Sequence, residues 1–287
     1  MTINAFLNGE YLNINSIYVS PQDRAFVFGD GIYEFISIYN NKSFMLEEHL
    51  ERLEESASVV EINLPYPRQG FEKLIANLIG ASDLKDAGVY LQITRGVAPR
   101  KHCFPKNGKP TVFAMIDELP EYKDNMYKNG VNVILLPDER WKNCNIKTVN
   151  LLPNVIAKEK AYRKKAFEAV LVNDKSEVTE GSSSNVFAVI NGSLVTAPVS
   201  RRILNGITRQ AILKIAHSEK IPVAQRHVKK KELFVADEVF LTSTGMGVMP
   251  VVGVDKATVG DGKPGSITKK LIKRYNEIVN CSRTQAK

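Results

Sequence analysis

A single lysine with few charged neighbours is the first candidate for chemistry in this sequence. Lys147 lies in the stretch CNIKTVNLLPN, and apart from it no charged residue occurs between Lys142 and Lys158. We expect such a lysine to be partly desolvated. Desolvation disfavours the ammonium form, which lowers the pKa and gives a nucleophilic amine able to form a Schiff base. A lysine with a buried stem and a head in water is the commoner case, and this stretch alone favours it.

Two other stretches combine charged residues with turn formers. Glu180 begins EGSSSN, in which a glycine and three serines could hydrogen-bond the carboxylate and keep it ionised. A flexible polar hairpin explains this composition equally well. The loop of residues 95–110 is long for a plain connection and carries Arg100, Lys101 and His102 close together. This loop is either a solvated basic turn or a site for an anionic ligand.

The composition is that of a water-soluble globular protein. The 287 residues suffice for one large or two medium domains, and 44% are hydrophobic and 24% charged. The first residues, MTINAFLNGEYLN, lack the basic and apolar regions of a signal peptide, and no apolar run is long enough for a membrane span. We therefore predict a cytoplasmic protein. The three cysteines are far apart and lack CxxC spacing, so neither disulfides nor a metal site is predicted.

The basic charge balance raises the question of a nucleic-acid partner. Lysine and arginine number 39 against 31 acidic residues, a net charge of +8. The basic residues are scattered, however, and the short clusters at 163–165, 229–231 and 269–270 contain or adjoin helical patterns. Solvated helix faces explain them, and no nucleic-acid-binding signature is present. A non-catalytic basic binding protein remains the alternative from another functional class.

Hydrophobic periodicity and turn residues predict a mixture of strands and helices. Hairpin turns are predicted at Asn8-Gly9, Asn40-Asn41 and Asn191-Gly192. Besides the first hairpin at 3–14, strands are predicted at 32–39, 43–46, 89–94, 111–117, 131–136, 169–172, 185–190, 194–197 and 238–242. Helices are predicted at 47–59, 69–79, 150–167, 206–217 and 266–279. The absence of regular βαβ alternation indicates an α+β fold.

A polar stretch near residue 120 predicts two domains. We place a small N-terminal α+β domain at residues 1–120, a linker at 121–130 and a large C-terminal α+β domain with Lys147 at 131–287. Residues 24–31 are predicted to be a loop, because two glycines allow a sharp turn or a close approach to a ligand.

The stretch around Lys147 resembles the segment that carries the cofactor lysine in fold-type IV pyridoxal-phosphate transaminases, and most closely in their D-amino acid branch. Six further blocks extend the resemblance, in the family's order, over most of the chain. They are FGDGIYE (28–34), HLERL (49–53), TRGVAPRKHCFP (94–105), VTEGSSSNVF (178–187), LNGITR (204–209) and LTSTGMGVMPV (241–251).

The resemblance implies a two-domain enzyme with its active site between the domains. It also implies a homodimer, pyridoxal 5′-phosphate (PLP) as cofactor, and transfer of an amino group between D-amino acids such as D-alanine and 2-oxo acids such as 2-oxoglutarate or pyruvate. Lys147 would form the Schiff base with PLP and then carry the proton between the substrate Cα and the cofactor. Glu180 would stay ionised against the pyridine nitrogen, so that the ring accepts electrons.

The resemblance also assigns residues to the cofactor phosphate and to the substrate. Arg52, Thr244 and the start of the helix at Ile207 and Thr208 would bind the phosphate. An exposed helical arginine is the commoner case for Arg52. In the D-amino acid branch, the α-carboxylate is held by three residues that match Tyr33, Arg100 and His102, the last two reaching in from the neighbouring subunit.

This chain departs from its close relatives at two places. Gly245, Met246 and Gly247 stand where a second threonine and a glutamate are usual, so we expect a wider or more flexible pocket wall. Phe35 replaces a smaller aliphatic residue near the carboxylate site. The nearest rival functions share the fold: a branched-chain L-amino acid transaminase and an aminodeoxychorismate lyase. The presence of Tyr33, Arg100 and His102 argues against both.

Overall fold

A computed structural model describes residues 3–284 of this protein. The chain folds into two compact units. The first unit comprises the described residues of Met1–Leu119, Ile146–Asn150 and Val279–Lys287. The second comprises Pro120–Asn145 and Leu151–Ile278. Both units combine helices with a β-sheet, so the predicted α+β class is confirmed.

The first unit is built on six antiparallel strands in the order β2-β1-β6-β5-β3-β4. The strands are β1 (Ala5–Leu7), β2 (Glu10–Leu12), β3 (Gly31–Tyr39), β4 (Lys42–Ser43), β5 (Ala87–Thr94) and β6 (Thr111–Asp117). Its helices are a short 3-10 helix (Ile14–Ser16), α1 (Arg24–Phe28), α2 (Leu46–Val59) and α3 (Arg68–Ala81). Residues 24–28 are helical where a loop was expected: Asp23 caps α1, accepting from the Ala25 N–H at 2.9 Å, and Gly29 ends it with a φ of 67°.

Helix α2 buries two stripes of side chains. Leu50, Leu53 and Ala57 recur at helical spacing and pack into the core with residues of β3 and β5. One position earlier, a polar stripe of His49, Arg52 and Ser56 is also buried. Burial of such groups is costly unless they are paired, so this polar stripe marks α2 as more than a packing element.

The segment 146–150 packs with the first unit, although the sequence placed it in the second domain. The Tyr33 N–H donates to the Lys147 carbonyl at 3.0 Å, and the Val149 N–H donates to the Gly31 carbonyl at 3.1 Å. Ile146 lies in the first unit's core. These strand-like bonds fix the backbone of Lys147 against the start of β3.

In the described residues, ten strands form the sheet of the second unit. They are β7 (Val131–Pro137), β8 (Glu168–Val172), β9 (Glu177–Gly181), β10 (Asn185–Ile190), β11 (Ser193–Thr196), β12 (Val223–Gln225), β13 (Val228–Lys229), β14 (Glu238–Ser243), β15 (Gly247–Val254) and β16 (Ala257–Thr258). Their order is β12-β11-β10-β14-β15-β7-β8-β9-β13, with β16 paired to β15. The pairs β15–β7, β7–β8 and β11–β12 are parallel.

Five helices have residues in the second unit. They are α4 (Asp124–Asn129), α5 (Leu152–Arg163), α6 (Ile207–Ser218), α7 (Lys230–Leu233) and α8 (Ser266–Thr284), whose last residues belong to the first unit. Strand β15 is absent from the sequence prediction. It contains Pro250 and two glycines, which are unusual in a strand that has neighbours on both sides.

The three predicted hairpin turns are confirmed. Both central residues have positive φ in each turn: 49° and 107° at Asn8-Gly9, 47° and 62° at Asn40-Asn41, and 49° and 72° at Asn191-Gly192. Asparagine and glycine adopt this conformation at little cost, and it matches the twist of the flanking strands.

Candidate active site

Lys147 and Tyr33 lie side by side in the first unit. The Lys147 Nζ is 4.3 Å from the centroid of the Tyr33 ring, a favourable cation–π distance. The Tyr33 ring stacks on Tyr90, with ring centroids 5.6 Å apart. Lys147 itself is half-buried. The main-chain bond between the two residues and this ring contact hold the amine at a defined place.

A buried ionic cluster adjoins Lys147. Arg52 Nε and Nη2 donate to the two carboxylate oxygens of Glu34, each at 2.8 Å, and His49 Nδ1 lies 2.7 Å from Glu34 Oε2. Arg52 is therefore a buried, paired residue, 6% exposed, and not a solvated helical arginine. Burial alone would raise the pKa of Glu34, but the charge of Arg52 and the hydrogen bonds from Arg52 and His49 hold it far below its usual range.

The same cluster keeps His49 neutral. Burial lowers the pKa of His49 and outweighs the Glu34 carboxylate, which raises it, while the charges of Arg52 and Lys147 lower it further. Because a carboxylate only accepts hydrogen bonds, the His49 proton lies on Nδ1, facing Glu34. Sequence analysis assigned no role to Glu34 or His49, although a glutamate in the middle of the apolar strand IYEFISIY is a signal that it is paired.

Replacing Glu34 by glutamine is expected to lower the free energy of unfolding by about 3–5 kcal/mol, because it leaves the buried Arg52 charge without its partner. A carboxylate with a lowered pKa stabilises the fold above its ordinary value of 4.5, and that stability is lost as the pH falls below it. Urea denaturation at pH 7 and at about pH 4 measures both effects, since the parent loses stability between these values and the variant loses less. The control is Glu54→Gln, on the same helix as Arg52, which breaks a surface pair with Arg68 of α3 and is expected to cost about 0–1 kcal/mol.

Arg100 and His102 are exposed on the loop after β5. Both contact the Phe28 ring: the Arg100 Cζ is 5.2 Å from its centroid, and the His102 ring centroid is 5.3 Å from it. The structure places neither residue against Lys147 or Tyr33 of the same chain in any ring contact, hydrogen bond or ion pair of the described side chains.

Glu180, at the end of β9, is buried in the second unit with its side chain 7% exposed. It forms an ion pair with Arg140, and Oε2 accepts from Asn185 Nδ2 at 3.0 Å and from the Leu204 N–H at 2.9 Å. Burial raises the pKa of Glu180 to about 7, against the pull of Arg140. All of these partners are donors, so each favours the ionised carboxylate.

The serines of EGSSSN do not hydrogen-bond Glu180 as the sequence suggested. Their hydroxyl groups donate instead to Glu168, at 2.5 Å from Ser182, 3.1 Å from Ser183 and 3.3 Å from Ser184. Glu168 is 1% exposed on the neighbouring strand β8, and these donors satisfy its buried carboxylate. The turn is therefore a fixed element and not a flexible hairpin.

Arg140 is a second residue that the sequence left without a role. Its Nε and Nη2 each lie 2.9 Å from an oxygen of Asp138, while Nη1 faces Glu180. Thr179 donates to the same Asp138 at 2.7 Å. Arg140 thus orients the Glu180 carboxylate from a fixed position, and nothing in the local sequence identifies it.

The start of α6 lies beside the Glu180 cluster. Ile207 and Thr208 are 1% and 2% exposed, and Gly206 precedes them without a side chain to cap the helix. A Cβ atom on Gly206 would lie 2.1 Å from Asn185 Oδ1, so only glycine permits this approach. Asn185 also binds Glu180, and it thereby joins the carboxylate to a helix start whose N–H groups suit an anion.

Thr244 lies in the turn between β14 and β15 and is half-buried. Met246, one of the neighbouring residues at which this chain departs from its close relatives, is well packed. It is 6% exposed in the core, and its carbonyl accepts a hydrogen bond from the Tyr127 hydroxyl at 2.8 Å. In the first unit, the Phe35 ring covers Gly88, where a Cβ atom would lie 2.4 Å from the ring.

In the described part of the chain, no helix is both long and apolar enough to cross a membrane. Nor do the described residues include a group of three or more His, Cys, Asp or Glu side chains arranged to hold a metal ion.

The family model of class IV aminotransferases matches residues 31–254. This chain belongs to the class IV aminotransferases. It is 42% identical to the D-alanine aminotransferase of Staphylococcus haemolyticus over 275 residues, which cover 96% of this chain and 97% of that protein. It is 40% identical to the D-alanine aminotransferase of Bacillus licheniformis over 269 residues, 94% of each.

Solved structures confirm the fold of this class IV aminotransferase. The branched-chain amino acid aminotransferase of Escherichia coli superposes with a TM-score of 0.92 at 23% identity, covering 100% of this chain and 97% of that one. The branched-chain aminotransferase of Thermoproteus uzoniensis, solved with norvaline, gives 0.88 at 25% identity, covering 99% and 96%. The fold-type IV prediction is therefore confirmed, as are aminotransferase activity and PLP as the cofactor of the family.

The residues present fit that cofactor. Glu180 is a buried carboxylate whose pKa is raised by burial to about 7, and a further cationic donor would stabilise its ionised form. On β14, opposite Asn185 of β10, Thr242 has a buried hydroxyl with no hydrogen-bond partner among the described residues. In the same unit, the start of α6 lacks a side-chain cap and offers backbone N–H donors that suit a phosphate.

Proposed function

We propose that this chain is a PLP-dependent transaminase that moves an amino group between D-amino acids, such as D-alanine, and 2-oxo acids, such as 2-oxoglutarate or pyruvate. The observation that carries this proposal is the identity of 42% and 40% with two D-alanine aminotransferases over nearly the whole chain. The branched-chain L-amino acid transaminase is the alternative, but its likeness at 23% identity concerns the fold alone.

Lys147 carries the chemistry in this proposal. PLP supplies, when bound, an aldehyde and a ring that accepts electrons. The Lys147 amine binds it and, when the substrate's amino group takes its place, holds and returns the Cα proton at Nζ. The backbone hydrogen bonds to β3 and the contact with the Tyr33 ring keep Nζ at one place, so the amine reaches a single face of the substrate Cα.

Glu180 and Arg140 set the protonation of the cofactor ring. The Glu180 carboxylate would accept a hydrogen bond from the protonated pyridine nitrogen, and that positive charge would offset the cost of burying the carboxylate. Arg140 holds the carboxylate in position through its own pairing with Asp138. Ile207, Thr208 and Thr244 in the second unit and Arg52 in the first would bind the phosphate.

We propose that the substrate's α-carboxylate is bound by Tyr33, Arg100 and His102. A guanidinium, a phenol and an imidazole provide donors of suitable geometry for a carboxylate. Arg100 and His102 are exposed and would serve the neighbouring subunit of a homodimer. The exposed apolar face of α5 supports such an assembly, with Leu152, Val155 and Ile156 being 69%, 59% and 45% exposed. We place this homodimer in the cytoplasm.

The proposal predicts which amino acid reacts with the holoenzyme in the absence of a 2-oxo acid. D-alanine alone is expected to bleach the visible absorption of the bound cofactor and to release an equal amount of pyruvate. L-leucine is expected to do neither at a comparable rate. Bleaching by L-leucine and not by D-alanine would show that the enzyme is a branched-chain transaminase. A colourless protein retained on nucleic acid in a salt-sensitive way would be the non-catalytic binding protein.

A further inference from the structure

Helix α1 holds the backbone of the loop 95–110. Arg24 is 4% exposed, and its Nη1 donates to the carbonyl oxygens of Lys101 at 2.6 Å and Cys103 at 3.5 Å. Its Nη2 donates to the carbonyl oxygen of His102 at 3.4 Å. Three successive carbonyls therefore face one planar guanidinium, whose rigid fork fixes their directions.

The next turn of the same helix holds the side chains of that loop. Phe28 is contacted by Arg100, with Cζ 5.2 Å from the ring centroid, and by the His102 ring at 5.3 Å. The Arg24 Cζ lies 4.8 Å from the same centroid. One aromatic ring thus supports both of the exposed cationic side chains, by contacts that leave their N–H donors unused.

Asp30 and Arg95 anchor this arrangement to the rest of the first unit. Asp30 Oδ2 accepts from Arg24 Nε at 2.7 Å and from Arg95 Nε at 2.9 Å. Arg95 also donates to the carbonyls of residues 60 and 61, both at 2.6 Å, and its Cζ lies 3.6 Å from the centroid of the Phe104 ring. One carboxylate thus bonds two buried guanidinium groups and ties Arg24 to the first residue of the loop.

We propose that Arg24 and Phe28 are positioning residues, which set where Arg100 and His102 present their donors to the substrate's α-carboxylate. This inference rests on the proposed function, in which Arg100 and His102 bind that carboxylate. A long loop with two exposed cationic side chains would otherwise be ordered by each substrate as it binds, at a cost in affinity. Anchoring by α1 removes that cost before the substrate arrives.

The test uses the holoenzymes of Phe28→Leu and Arg24→Lys. Phe28→Leu removes the ring face, and Arg24→Lys keeps the charge but loses the fork. In each, the KM for D-alanine and the inhibition constant of propionate, an unreactive carboxylate, are expected to rise about tenfold, while kcat and the cofactor spectrum change little. The control Arg68→Lys alters an arginine that is likewise bonded to a carboxylate, Glu54, and is expected to change neither constant.

A double-mutant cycle separates positioning from a general structural effect. In an Arg100→Ala, His102→Ala background, Phe28→Leu and Arg24→Lys are expected to have no further effect on the propionate constant, because the side chains that they position are gone. An additive loss in that background would overturn the inference. If Arg24→Lys does not fold, the propionate constants of Phe28→Leu alone decide whether the inference holds.

The cycle also distinguishes this inference from the proposed function. If Arg100→Ala, His102→Ala leaves both constants at the parental values, the carboxylate assignment is wrong and the inference falls with it. If that variant raises both constants but Phe28→Leu and Arg24→Lys do not, the carboxylate assignment stands and only the positioning role of α1 is overturned.

Discussion

Lys147→Ala is expected to lower kcat for the transamination of D-alanine by about 10⁴-fold, at the upper end of what one proton-transferring group contributes. The variant lacks both the amine that binds the cofactor and the base that moves the Cα proton. Neither Arg52 nor His49 can replace it, because the Arg52 guanidinium does not release its proton and His49 is bonded to Glu34. Steady-state rates with D-alanine and 2-oxoglutarate measure the loss.

The control for this variant is Lys142→Ala. Lys142 is the preceding lysine in the sequence and is exposed, so its removal is expected to leave kcat unchanged. Added methylamine is expected to restore part of the activity of Lys147→Ala, because a free amine can take up the proton that Nζ otherwise carries. Parental turnover by Lys147→Ala would show that the lysine has no part in the reaction.

Glu180→Gln is expected to lower kcat by about 10²–10³-fold, the usual cost of losing one charge-stabilising group. Glutamine fills the same space but cannot keep the pyridine nitrogen protonated. The fold is expected to survive, because Arg140 keeps its two bonds to Asp138. Glu177→Gln, on the same strand but paired with Lys229 at 2.8 Å near the surface, is the matched control.

The pH dependence of cofactor binding gives a second measure for Glu180. Burial raises the pKa of the Glu180 carboxyl to about 7, so the group is increasingly protonated below that pH. Binding a cationic ring requires the proton to leave, so the affinity for PLP is expected to fall as the pH drops below about 7. Glu180→Gln is expected to weaken this dependence. An unchanged profile and an unchanged kcat would contradict the role of Glu180.

The sequence predicts the elements around the site well because their signals are local. The hairpin turns follow from Asn-Gly and Asn-Asn pairs, and α2 follows from apolar residues at helical spacing. The sequence pattern predicts a loop in place of helix α1, because the two glycines of FGDG dominate it, while Asp23, which caps the helix, lies just before Arg24. Strand β15 was missed because its proline and glycines are atypical of a strand.

The partners of the site residues depend on pairing between distant parts of the chain, which local patterns do not contain. Glu34 and Arg52 are 18 residues apart, and Arg140 and Glu180 are 40 apart. The three serines after Glu180 suggested its hydrogen-bond donors, but strand pairing directs them to Glu168. The sequence therefore nominates side chains for the chemistry, and the sheet register decides which of them are joined.

Mass spectrometry of the borohydride-reduced holoenzyme tests the central claim most directly. Reduction fixes the cofactor covalently to the lysine that carries it, and peptide mapping then locates the label. We expect one label per chain, on the peptide that contains Lys147. A label on another lysine, or none in a protein that still transaminates D-alanine, would contradict it.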